Sequence, residues 1–225
     1  MKLQKLGGIA ALIEALAYIV GFAVLITFLS PEDAATMSRI ERLTFEVENL
    51  LILQLWYLFI YVVFGIVLVV LATALHEQLK SHSPSTVNIA SVLAFIWSGM
   101  VISSGMIASI GLGNVAQILE VDPKQALYIW EVLGILQDAI GGGVEVVGGI
   151  WVLLISWVAM RHSALTKAVN YVGLVVGCAG LLTIIPAFTD LGAIFGLGQI
   201  AWFVLLGIYM LRDVNNSATE SFTPQ

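Results

Sequence analysis

The fold this sequence predicts is all-α: a polytopic integral membrane helical bundle of six transmembrane helices. Three observations carry that prediction. Of 225 residues, 60% are hydrophobic and only 11% charged, and the mean hydropathy is +1.00, well outside the range of soluble domains. Six apolar segments lie near residues 6–29, 49–75, 87–112, 139–160, 168–188 and 192–211. Each reaches the length of about 20 residues that crosses about 30 Å of hydrocarbon. The connections between them are polar and mostly short, so residues 1–212 read as one domain, followed by a short polar cytoplasmic tail, 213–225, that is predicted to be disordered.

The first span follows Lys2 and Lys5 and is too long for the apolar region of a signal peptide, so it reads as a retained helix. Ser30, Pro31, Glu32 and Asp33 then supply an N-cap hydroxyl, a proline for the first helical position and two acids for the positive end of the dipole. An amphipathic outer helix over 31–47 is therefore expected before span two. Asp122 and Pro123 repeat that signal and open a second outer helix running toward span four. Unbroken to residue 160 it would measure about 55 Å, too long for a bilayer. A bend is expected at Gly141, Gly142 and Gly143. Small residues at four-residue spacing in spans three, five and six, among them Gly173 and Gly177, let helix backbones approach closely. Between spans five and six the turn bounded by Pro186 and Asp190 is short enough to make the two helices antiparallel neighbours, with Asp190 placed to cap the second.

Lys2, Lys5, Lys80, Arg161, Lys167 and Arg212 fall on one side of this arrangement, against Arg39, Arg42 and Lys124 on the other. The positive-inside rule then places both termini in the cytoplasm of a multi-pass protein of the inner, or plasma, membrane. A net charge of −6 and the lack of any basic cluster argue against nucleic acid as a partner. Cys178, the single cysteine, leaves no intramolecular disulfide and no cysteine-based metal motif. The histidines, His76, His82 and His162, fall in the predicted cytoplasmic loops at spacings that match no closed metal site. No cofactor and no metal is predicted.

Residues 131–151 read EVLGILQ, DAIGGGV, EVVGGIW, so that Glu131, Asp138 and Glu145 each precede a glycine by three positions, Gly134, Gly141 and Gly148. A seven-residue helical step advances about 10.5 Å and falls about 20° short of two turns, which stacks acids and glycines along one face. The glycines read as a packing groove. Of the acids, Asp138 falls at the edge of the interface and Glu145 inside the hydrocarbon, where an ionisable side chain is a functional-site hypothesis by default. Counting residues from the span ends puts Gln54, Gln199 and Thr183 at the depth of Glu145, with Ser104 and Ser109 bracketing it. The functional reading is an outward-opening pocket with Glu145 as its charged member and Gln54 and Gln199 as its walls. The structural alternative is that these groups bond to one another and hold the bundle in register. Glu14 falls about 8 to 10 Å deeper, in the inner half of span one, as a candidate partner of Glu145 in a proton or cation relay.

The opening KLQKLGGIAALIEALAYIVG, the acid before glycines in QDAIGGG, the stretch TKAVNYVGLVVGCAGLL and the ending GQIAWFVLLGIYMLRD resemble the bacterial six-helix membrane proteins catalogued as domain of unknown function 4386. Asp138, Gly141, Lys167, Gly173, Gln199 and Trp202 fall where that pattern has an acid, a glycine, a base, a glycine, a polar residue and an aromatic. Thr166 and Ala168 stand where it has proline and tryptophan, and Glu145 has no counterpart. The resemblance implies a fold and no activity.

Two functions compete. The first is binding or transport of a small hydrophobic or cationic ligand through an outer-leaflet pocket. The second is a non-enzymatic accessory or scaffold subunit that docks a membrane partner, or a second copy of itself, through its glycine-lined helix faces. An enzyme using Glu145 and Asp138 as acid and base has the least support, because a seven-residue step separates them by about 10 Å, long even for an inverting carboxylate pair.

Overall fold

The computed structural model describes residues 3–31, 33, 35–142 and 145–220, with the main chain alone at 141, 142 and 213–220. Lys2, Glu32, Gly143 and the last five residues of the predicted tail lie outside the described residues. Among the described residues the regular structure is helical: α1 Leu3–Phe28, α2 Arg39–Glu48, α3 Leu50–Tyr57, α4 Phe64–Leu79, α5 Pro84–Leu119, α6 Pro123–Gln137, α7 Val146–His162, α8 Lys167–Leu182 and α9 Leu191–Glu220. A π-helical turn, Leu58–Val63, fuses α3 and α4 into a 30-residue rod, and a second, Asp138–Gly142, follows α6.

Each of the six predicted apolar segments contains helix among the described residues, but they are unequal. Leu3–Phe28, Leu50–Leu79, Pro84–Leu119 and Leu191–Arg212 are long and apolar enough to cross a membrane, whereas the apolar α7 and α8 are shorter, at 17 and 16 residues. The tail read as disordered continues α9 as far as Glu220.

The first outer helix begins at Arg39, eight positions later than the sequence suggests. Its N-cap is Ser38, whose hydroxyl accepts from the Glu41 N–H at 3.3 Å while the Glu41 carboxylate accepts from the Ser38 N–H at 2.7 Å. That reciprocal box satisfies two orphan donors, which the Ser30 signal cannot do. The Ser30 hydroxyl turns back instead and donates to the Leu25 carbonyl. Asp122 does cap α6, accepting from the N–H groups of Lys124 and Gln125. Where a bend was expected, α6 ends at Gln137, and α7 starts afresh with Glu145 as its N-cap.

α1 packs against α9 and α4, α8 lies between α7 and α9, and α5 runs along α4, α6 and α7. Backbone touches backbone at two glycine pairs: a Cβ on Gly8 would lie 3.1 Å from the Gly207 carbonyl, and one on Gly149 would lie 2.9 Å from the Gly177 carbonyl. Small residues allow such contact where hydrophobicity gives helices no reason to associate. Two cores result. The inner one holds the wholly buried Trp151, Trp202, Phe195 and Phe203; the outer one joins Leu43, Leu53, Tyr57, Leu112, Val115 and Ala126. At 36 residues, or about 54 Å, α5 is long enough to serve both.

Candidate functional site

Between the two cores lies a partly enclosed cavity of about 290 Å³. Ala17, Tyr18, Gly21, Phe22 and Leu25 of α1 form one wall, since positions three and four apart share a helix face. Opposite stand Trp56, Ile60, Tyr61 and Phe64 of the α3–α4 rod, with Trp97 and Val101 of α5 and the side chain of Glu145 completing the lining. Ile60 and Tyr61 belong to the π-helical turn, a distortion frequent at functional sites.

The rings are held in place. Tyr18 meets Phe64 edge-on at 5.6 Å between centroids, and Phe64 meets Trp97 in the same way at 5.7 Å. The Trp56 indole N–H donates to the Gly21 carbonyl at 3.1 Å, tying α3 to α1. The Tyr61 hydroxyl accepts from the Gln137 amide at 3.4 Å, at the edge of the second π turn.

Glu145 is positioned through its main chain. Its N–H donates to the Thr183 hydroxyl at 3.2 Å, and that hydroxyl donates to the Gly180 carbonyl at 2.7 Å. With α8 gripping the backbone, the half-buried carboxylate lines the cavity as its one charged group. It sits at the positive end of α7, makes no capping bond, and takes no part in either ion pair of the described residues, Arg39–Glu131 and Lys80–Glu77. A helix N-terminus favours negative charge.

The other predicted site residues have different roles. Gln54 donates to the Ser109 carbonyl at 3.1 Å and Ser104 to the Gln137 carbonyl at 3.2 Å, so both bridge helices and neither lines the cavity. Asp138 is exposed on the second π turn. Gln199 is wholly buried on α9, and both of its amide atoms lack a hydrogen-bond partner among the described residues. Ser156 Oγ and Trp202 Nε1 share that condition, and both converge on Gly173, where a Cβ would collide with each. Glu14, wholly buried with both oxygens unbonded, lies one helical turn from Tyr18. The Tyr18 hydroxyl is within electrostatic reach of Glu14 and of Glu145.

The glycine groove is discontinuous. Gly148 accommodates the Trp97 ring, at 2.6 Å from a would-be Cβ, and Gly177 lies against Leu153 and the Gly149 carbonyl. Gly134 makes no close approach, because nothing lies within 4 Å of its Cβ position, and the surroundings of Gly141 lie outside the described residues. The break after α6 separates what the heptad spacing joined. His76 also differs from expectation, lying within α4 with its Nδ1 at 2.9 Å from the Ser91 hydroxyl. Among the described residues, no group of three His, Cys, Asp or Glu is placed to hold a metal.

The aromatic lining is what the sequence reading missed. Tyr18 and Phe22, spaced i to i+4 beyond Glu14, were its one local signal. No protein-family model, curated protein or solved structure matches this chain.

Proposed function

We propose that this chain is a six-span plasma-membrane protein with both termini cytoplasmic, which binds or carries a small hydrophobic or cationic ligand in the cavity beside Glu145. The cavity carries the reading: six aromatic side chains and one carboxylate converge in a space close to the lower end of ligand pockets, about 300 Å³. For α7 and α8 to count as spans four and five of six, each must use its flanking segment, the π turn before α7 and the 3₁₀ turn Pro186–Phe188 after α8. The resemblance to bacterial six-helix proteins supports that count and the membrane assignment.

The scaffold reading keeps less surface, since Gly148, Gly173 and Gly177 are occupied inside the bundle. A thermal-shift panel of small apolar and small cationic compounds, run on the purified full chain, tests the ligand reading. Ala17 is one of the smallest wall residues and only 1% exposed, so Ala17→Phe grows into the cavity. Wild type should be stabilised by members of the panel and Ala17→Phe should not. A wild type indifferent to every compound would overturn the proposal.

A further inference from the structure

Resting on that reading, we infer that the cavity is built for a small alkylated ammonium cation, tertiary or quaternary, carrying an apolar substituent. Among the described residues the wall holds one carboxylate and no lysine, arginine or histidine, which disfavours anions. A metal ion is unsuited as well. Hard cations take six or more oxygen ligands, and this wall offers one carboxylate and the hydroxyls of Tyr18 and Tyr61, the latter already accepting from Gln137. A primary ammonium has the related difficulty of needing acceptors for three N–H groups. A neutral ligand would fill the space but would draw no electrostatic attraction from Glu145, whose carboxyl would then be favoured in its protonated form.

An alkylated ammonium needs few or no acceptors. It spreads its charge over methyl and methylene groups that rest on ring faces, and the attraction strengthens when the site is desolvated. Trp56, Tyr61, Trp97 and Tyr18 bring four rings to that wall. Their orientations are fixed before any ligand arrives, Trp56 by the Gly21 carbonyl and Tyr18 and Trp97 by Phe64. Preorganisation of this kind lowers the entropic cost of binding. Glu145 supplies the single counter-charge.

The test compares benzyltrimethylammonium with its neutral carbon isostere, neopentylbenzene, which has the same shape and no charge. Both are titrated by calorimetry into the full chain in lipid nanodiscs, with protein-free nanodiscs as the partitioning control. The cation should bind at least about tenfold more tightly, a difference within reach of a desolvated aromatic site with a counter-ion. Glu145→Gln should lose that preference, and Trp56→Leu should weaken the cation about threefold or more beyond any loss it causes for the isostere. Binding of the isostere by each variant shows that its cavity is intact. If Glu145→Gln does not fold, the wild-type pair and Trp56→Leu decide. Equal binding of the two compounds, or cation affinity unchanged in a folded variant, overturns the inference and leaves a general ligand pocket standing. Failure of both compounds, together with an unresponsive compound panel, overturns the pocket as well.

Discussion

The outer module and the inner bundle of this molecule treat polar groups in opposite ways. In the outer module, Ser38 and Glu41 cap each other, Asp122 caps α6, and Arg39 meets Glu131 across α2 and α6 at 2.9 Å. Its buried acid is partly accommodated: burial pushes the Glu46 carboxyl up, the Trp130 indole and the Arg42 charge offset part of that, and Oε2 is buried without a hydrogen-bond partner among the described residues. Among the described residues, the inner bundle leaves side-chain atoms of Glu14, Gln199, Ser156 and Trp202 buried and unbonded, and beside a few polar bonds such as that from Ser98 to the Gly65 carbonyl its helices meet through glycines and large rings. The cavity lies where the two regions join. That position matters, because a ligand there meets rings fixed by the inner bundle and a carboxylate aimed by the start of α7.

The largest effect is expected where the inner bundle is tightest. A Cβ on Gly149 would lie 2.7 Å from the Leu181 nitrogen and 2.9 Å from the Gly177 carbonyl oxygen, and backbone atoms cannot swing aside. Gly149→Leu should cost at least about 3 kcal/mol, seen as loss of cooperative thermal unfolding. Near-wild-type melting would show that α7 and α8 are looser than the contrast requires. Glu14→Met comes next. Removing a wholly buried carboxyl with no bonding partner should raise stability by about 1–3 kcal/mol in chemical denaturation. A destabilised variant would mean that Glu14 is held by a bound water or ion, and the two regions would then be less different.

How much of this was legible depends on the kind of signal. The apolar segments and the Asp122 cap are local, written in runs and neighbours; the cap is where the sequence reading put it, and four of the six segments form helices long and apolar enough to cross a membrane. Ser38 was also local but was passed over, because Ser30 and Pro31 offer a cap of similar quality and only the reciprocal bond with Glu41 separates them. Glu145 was found from its depth and heptad position, although the helix thought to deliver it is two helices. The ring wall was not legible. Tyr18, Trp56 and Trp97 lie on three helices far apart in the chain, and in each helix an aromatic residue looks like any other apolar one. Gln54 and Ser104 stood at the right depth but faced neighbouring carbonyls, since depth counting fixes height and not azimuth.

On the outer side, Ser38→Ala removes the hydroxyl that accepts from the Glu41 N–H and should cost about 1 kcal/mol. The loss should appear as faster amide exchange confined to α2. Acid should weaken the same cap in wild type. The bonds from Ser38 hold the Glu41 carboxyl below its ordinary value, so its contribution is complete above the unfolded pKa, about 4.3, and is lost as pH falls through the lower folded-state value. Amide protection in α2, corrected for the intrinsic pH dependence of exchange, that stays constant across that range would remove Glu41 from the cap.

The smallest effect separates the two regions most finely, because it concerns a glycine that looks identical in sequence to those of the inner bundle. Gly134 shares the heptad of Gly148, yet nothing lies within 4 Å of its Cβ position, whereas Gly148 is filled by Trp97. Gly134→Ala should therefore stabilise α6 by about 0.5–1 kcal/mol through helix propensity alone. Slower amide exchange across Pro123–Gln137 would measure it. Gly148→Ala must instead move an indole ring and should destabilise. If Gly134→Ala also destabilises, or shifts the particle to a smaller size in mild detergent, another chain covers that face, and the outer module gains the docking role that its exposed Tyr128 and Ile135 would then serve.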